Sequence, residues 1–150
     1  MSTCTTVIST CGEYQIGRVC LPIIYQGDNG TVDLTLLDKA GNAIDLDTVS
    51  EIEAVLYGLD VDYKLEYNWP FNTGNEDITI LQETVNDTIV NQGKIRLYIP
   101  TTFTKHLVSG NLNASIRITK YDTSLPTGED IITFPCLNVA EIKYTEINFL

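Results

Sequence analysis

A chain of 150 residues with an apolar fraction of 43% has the size and composition of one globular domain, long enough to bury roughly two thirds of its unfolded surface. A formal net charge of −11 and nine scattered Lys and Arg residues set it against phosphate backbones, which excludes a general nucleic-acid binder. No run approaches the ~20 apolar residues of a membrane-spanning helix, and "MSTCTTVIST" has neither the basic start nor the apolar core of a secretory leader.

Residues 1–20 are rich in Thr and Cys and β-prone in "TTVIST". They predict an N-terminal arm or edge strand, set apart from a β-sandwich domain over residues 21–150. Three of the four cysteines fall here, Cys4, Cys11 and Cys20, with Cys136 far downstream. Their spacings of six and eight intervening residues do not match the close pairs of a zinc site, so free thiols and no metal are expected.

"GDNGTVDLTLLDKAGNAIDLD", Gly27 to Asp47, carries five aspartates and one lysine. Val32, Leu34 and Leu36 alternate with Asp33 and Thr35, the pattern of a strand with one wet face. Asp38, Gly41, Asn42 and Asp45 are read as shaping the turn that follows: glycine supplies positive φ, and short polar side chains cap nearby backbone groups. A calcium loop would need more oxygen ligands in a different order, so Asp28, Asp33 and Asp47 receive no metal role.

"DTVSEIEAVLYG" offers a Ser50–Glu53 capping box, but the alternation of Ile52, Ala54 and Leu56 favours a strand. "YKLEYNWPFNTGNED" reads as an irregular loop, with Pro70 barring a central strand. Tyr67, Trp69 and Phe71 within it are candidate partner contacts, because Trp and Tyr are favoured at interface hot spots. "GKIRLYIP" alternates again through Ile95, Leu97 and Ile99. "TTFTKHLV" suggests one helical turn that puts Phe103 and Leu107 on the core side. "NASIRITKY" and "EIKYTEINFL" continue the period of two through Ala114, Ile116 and Ile118, then Ile142 and Tyr144. The apolar end of the last segment makes Ile147, Phe149 and Leu150 further candidate contacts.

Catalytic signatures are missing. The chain has no phosphate-binding loop, nucleophile elbow or H-E-x-x-H, and its one histidine, His106, sits in a connecting turn. No catalytic residue and no cofactor is expected.

The order of segments is itself informative. A strand ending in Asp is followed by a "D-x-x-G-x-x-I-D-L" turn and a second strand. Later come "GKIRLYIP", a Thr-rich connector, "SGNLNASIRITKYD" and "GEDIITFPCLNVAEI". This resembles the immunoglobulin-like module at the N-terminus of phage upper baseplate proteins, related to modules of head and tail fibres. The resemblance spans roughly Gly27 to Ile142. It implies an all-β, immunoglobulin-like antiparallel sandwich, here with an extended N-terminal arm. In that family the aspartate-glycine turn enters a strand of the opposite sheet, and the late "G-x-L-x-A-x-I" strand pairs with the segment after it. No receptor-binding segment follows within these residues. The implied role is therefore a virion structural protein: a capsid decoration, a head-fibre base or a tail adaptor. Its partners would be capsid, fibre or tail subunits in a homo- or hetero-oligomer, without nucleic acid or membrane. The rival reading is a carbohydrate-binding or calcium-dependent adhesion module, with Tyr67, Trp69 and Phe71 as its platform and the Asp28–Asp47 region holding an ion.

Overall fold

The structure, a computed structural model, describes residues 7–10, 15–18, 22–57, 62–68, 77–107 and 109–144. Period-two alternation produces two layers. Strands β1 (Val7–Thr10), β2 (Gln15–Arg18) and β4 (Gly30–Leu37) lie in the first sheet, followed by β10 (Lys94–Ile99) and β7 (Ile78–Ile80) in the order β1-β2-β4-β10-β7. The second sheet runs β3 (Ile23–Tyr25), β12 (Glu129–Lys143), β11 (Gly110–Tyr121), β5 (Val49–Tyr57) and β6 (Asp62–Asn68). All pairings are antiparallel except β3 with β12. The chain is an all-β sandwich.

One face of each sheet makes the core. Val32, Leu34 and Leu36 of β4 join Ile95, Leu97 and Ile99 of β10; across from them lie Ile52, Ala54 and Leu56 of β5 and Ala114, Ile116 and Ile118 of β11. Each fully buried Leu or Ile contributes about 1.5–3 kcal/mol relative to an exposed one, so these strands dominate the stabilisation. β4 and β5 occupy opposite sheets although only the Asp38–Thr48 connection separates them. β11 pairs with β12 from Gly110↔Ile142 to Tyr121↔Glu129. Two register shifts interrupt that ladder, and Pro135, which has no N–H to donate, falls at one of them. At the other, Val139 and Ala140 are both fully buried, as expected where one strand carries an extra residue.

The Ser50–Asn68 region differs from its sequence reading in one respect. The first half of "YKLEYNWPFNTGNED" is not a loop: Asp62–Asn68 is β6, paired with β5 through Ala54↔Leu65, and Leu65 is fully buried. Pro70 lies beyond its end, so the proline bounds the strand and does not prevent it. The helical turn is present as α1 (Thr101–Thr104), with Phe103 and Leu107 buried and the Phe103 ring 5.4 Å from that of Tyr63. Asn29 holds its start, its Oδ1 accepting from the Thr101 N–H at 2.9 Å and the Thr101 hydroxyl at 2.7 Å. At the end of β12 the alternation stops: Ile142 is buried, whereas Tyr144 is 69% exposed. Residues 7–10 and 15–18 form a hairpin that extends the first sheet, because β2 pairs with β4 through Ile16↔Leu36.

The tightest backbone approach sits where β4 leaves the first sheet. The Gly93 carbonyl accepts from the Leu36 N–H at 2.8 Å, and the Leu36 carbonyl accepts from the Ile44 N–H at 2.9 Å. Gly93 has φ +75°, and a Cβ there would lie 2.8 Å from the Leu36 oxygen and 3.2 Å from the Ile44 nitrogen. Gly41 has φ +87° but open space around it. Gly41→Ala therefore carries only the left-handed backbone cost, about 1 kcal/mol. Gly93→Ala adds a backbone clash and should cost about 1–3 kcal/mol more. Urea unfolding of the two variants checks this; equal losses would show that the close approach contributes nothing.

Candidate functional site

Strand direction sorts the sandwich into two ends. One end carries α1, the β3–β4 loop and the start of β11. The other carries the Asp38–Thr48 connection, the β7–β10 segment and the turn between β11 and β12. Beyond this second end stands a two-stranded hairpin, β8 (Glu83–Val85) and β9 (Thr88–Val90), which pairs with neither sheet. Asn86 and Asp87 turn it with φ of 49° and 63°, the two left-handed central residues of a type I′ turn. Val85 and Ile89 are exposed on it.

Gln82 roots this hairpin to the sandwich. Its Oε1 accepts from the Leu46 N–H at 2.9 Å and from the Gly93 N–H at 3.1 Å, while its Nε2 donates to Asp45 Oδ1 at 2.7 Å. One amide thus satisfies backbone donors from the β4–β5 connection and from the residue that precedes β10. Asp45 Oδ1 also accepts from the Asp47 N–H at 3.0 Å. These bonds, the Gln82 amide first, hold the Asp45 carboxyl below its ordinary range.

Next to Gln82 opens a groove of about 460 Å³, lined by Leu46, Asp47, Thr48, Val49, Ile80, Gln82 and Tyr121. Leu46 and Val49 are buried and make its floor; Asp47, Thr48 and Tyr121 are exposed on its rim. The Tyr121 N–H donates to the Thr48 carbonyl at 3.0 Å, which fastens β11 to the β4–β5 connection and fixes the rim. The groove holds no pair of carboxylates and no histidine.

The turn-shaping residues act as their types require. Asp38 Oδ1 accepts from the Ala40 and Asn42 N–H groups, both at 2.9 Å, and the Asn42 carbonyl accepts from the Asp38 N–H at 2.8 Å. The five aspartates of Gly27–Asp47 do not converge. Asp28 and Asp38 flank the eight-residue β4, ends roughly 26 Å apart at strand rise. Asp33 stands on the outer face between them. Its carboxylate is clamped by Arg96 on the neighbouring strand, with Oδ1 2.7 Å from Nε and Oδ2 3.0 Å from Nη2. That two-bond fork depresses the Asp33 carboxyl. Among the described residues no group of three or more His, Cys, Asp or Glu could hold a metal ion.

The outer face of the second sheet carries a second charge network. Lys64 reaches Glu66 at 2.9 Å and Glu53 at 3.4 Å. Glu51 and Glu53 share a hydrogen bond, which raises the Glu51 carboxyl and lowers that of Glu53. The two carboxylates stand at alternate positions of one sheet face, two residues apart on β5.

Of the sequence-derived contact candidates, Trp69, Phe71, Ile147, Phe149 and Leu150 lie outside the described residues, and Tyr67 is described only as the backbone position opposite Ile52. The groove residues and the free hairpin escaped the sequence reading. For the hairpin a signal existed: "TVNDTI" places two residues tolerant of positive φ between β-branched neighbours. No family model matches the chain, and no curated protein matches it in sequence.

The engaged carboxyls set a pH dependence. Asp33 and Asp45 have folded pKa values below their ordinary ones, so their stabilisation is complete above the ordinary value of 3.8 and is lost as pH falls through the depressed folded values. Urea midpoints should therefore drop on acidification below about pH 4, and Asp33→Asn should flatten that drop. Glu51 has the opposite sign, since its charged form is disfavoured in the fold. Glu51→Gln should match the parent in acid and exceed it at neutral pH, by less than about 1 kcal/mol on so exposed a face. Parallel acid limbs for Asp33→Asn and parent would refute the clamp's role.

Proposed function

We propose that the protein is a non-enzymatic structural subunit of a bacteriophage particle, a capsid decoration, head-fibre base or tail adaptor. It would be made in the host cytoplasm and carried in the virion, docked on capsid, fibre or tail subunits as a homo- or hetero-oligomer. The observation that carries this reading is the switch of sheets across the Asp38–Gly41–Asn42 turn, the topological step that the resemblance to phage baseplate modules implies. An immunoglobulin-like ancestry is part of the same proposal.

The surfaces suit assembly. A two-stranded hairpin is only marginally stable alone in water, so β8 and β9, standing outside both sheets with Val85 and Ile89 exposed, fit a contact arm. β3 leaves Ile23 and Tyr25 exposed beside the end of β12, where Tyr144 is also exposed. β1 and β7 each present an outer edge able to accept a further strand.

Mass spectrometry of gradient-purified particles from the producing lysate should find the protein in fixed ratio to the major structural subunits. Recovery only from the soluble fraction would overturn the proposal. Deleting residues 1–12 removes β1 and leaves β2 on β4. The shortened protein should keep a cooperative unfolding transition and lose incorporation into particles; normal incorporation would show that this edge is not a docking element.

A further inference from the structure

We propose that the groove beside Gln82 is a socket for an arginine side chain of a partner protein. Its chemistry is specific. The floor is aliphatic, from Leu46, Val49 and Ile80, and matches the methylene stem of a long cationic side chain. Tyr121, 52% exposed, lines the groove with an aromatic ring, a group that attracts cations. Asp47 supplies the charge. It is the groove's one acid, and among the described residues nothing engages its carboxylate, unlike Asp33, Asp38, Asp45 and Asp122, each of which already accepts hydrogen bonds.

Charge separates arginine from a sugar. The Gln82 oxygen is taken by the Leu46 and Gly93 N–H groups and one of its two amide N–H donors by Asp45, so this amide has no acceptor left with which to bridge neighbouring hydroxyls. What remains is an acceptor-only carboxylate, the hydroxyls of Thr48 and Tyr121, which both donate and accept, and the second Gln82 N–H. A guanidinium is all donor and brings the positive charge that the Asp47 carboxylate calls for, which a neutral saccharide lacks. The volume of 460 Å³ holds an arginine side chain with its flanking peptide bonds, within the roughly 300–1,000 Å³ of ordinary ligand sites. The net charge of −11 adds long-range attraction for a basic partner. Lys120 acts on Asp45 and Asp122, and it does not line the groove.

The socket does not depend on the assignment to a phage particle: any partner presenting an exposed arginine fits it. The test is amide chemical-shift mapping with three probes on the intact protein: a Gly-Arg-Gly peptide, its neutral citrulline counterpart and lactose. The arginine peptide should shift residues 46–49, 80–82 and 121. Asp47→Asn should weaken it at least about fivefold and Tyr121→Leu at least about twofold, both at exposed positions that leave the fold intact. Citrulline should bind at least about fivefold more weakly than arginine. Equal binding of citrulline, shifts from lactose in place of arginine, or no shift from any probe up to roughly 20 mM, well above the millimolar Kd of a single anchored side chain, would each overturn the proposal.

Discussion

Everything at the groove end depends on how backbone polar groups are satisfied where β4 gives way to β5. A chain that leaves one sheet for the other must abandon its ladder, and each buried N–H or C=O left unpaired costs about 1–3 kcal/mol. Here Gly93 and Gln82 take up that load. Gly93 comes close enough to accept from Leu36 only because it has no Cβ, and Gln82 then satisfies the Gly93 and Leu46 N–H groups with one oxygen. A larger residue at 93 would push the β9–β10 segment away from Leu36 and open the amide clamp. The floor of the groove, Leu46 and Val49, is set by the same bonds, since the Leu46 carbonyl accepts from the Val49 N–H at 3.2 Å. Fold and groove are one construction.

The central strands were legible because burial on one face leaves a periodic mark. Val32-Leu34-Leu36, Ile52-Ala54-Leu56, Ile95-Leu97-Ile99 and Ala114-Ile116-Ile118 each alternate with polar neighbours, and all are buried as that pattern requires. Short edge elements leave no such mark. β3 and β7 have three residues each, too few for a period to show. β6 was obscured differently. Its Tyr63-Leu65 alternation runs directly into the Trp69-Pro70 region, whose proline argues against a strand and masks a real one. β12 hid its length because its two register shifts break the alternation at Pro135 and Val139.

The turn chemistry was legible and the groove was not, for the same physical reason. Asp38, Gly41 and Asn42 act on groups within a few residues, and Asp45 caps Asp47 in the same way although it also takes a bond from the distant Gln82, so the turn itself is written locally in "DKAGNAID". The groove draws on three separate stretches, around Leu46, Ile80 and Tyr121, which the Leu46–Gln82 and Tyr121–Thr48 bonds join in the fold. Nothing in Tyr121 itself distinguishes it from Tyr98, equally a tyrosine on an outward strand position. Only the Tyr121–Thr48 backbone bond sets its ring at the edge of a cavity.

Local capping also sharpens what the acidic charge means. At the groove end Asp38, Asp45 and Asp122 each turn an oxygen toward nearby donors within the fold, and away from it Asp33 meets Arg96. Carboxylates so engaged are partly desolvated and already matched, so they attract a basic partner by field without offering a contact. Asp47 differs because Asp45 accepts from its backbone N–H, which orders the residue while leaving its carboxylate unused. The same capping bond that shapes the connection thus fixes the backbone of an acid at the groove rim. The acidic composition, diffuse in the sequence, acquires one directed charge, and it acquires it from the turn.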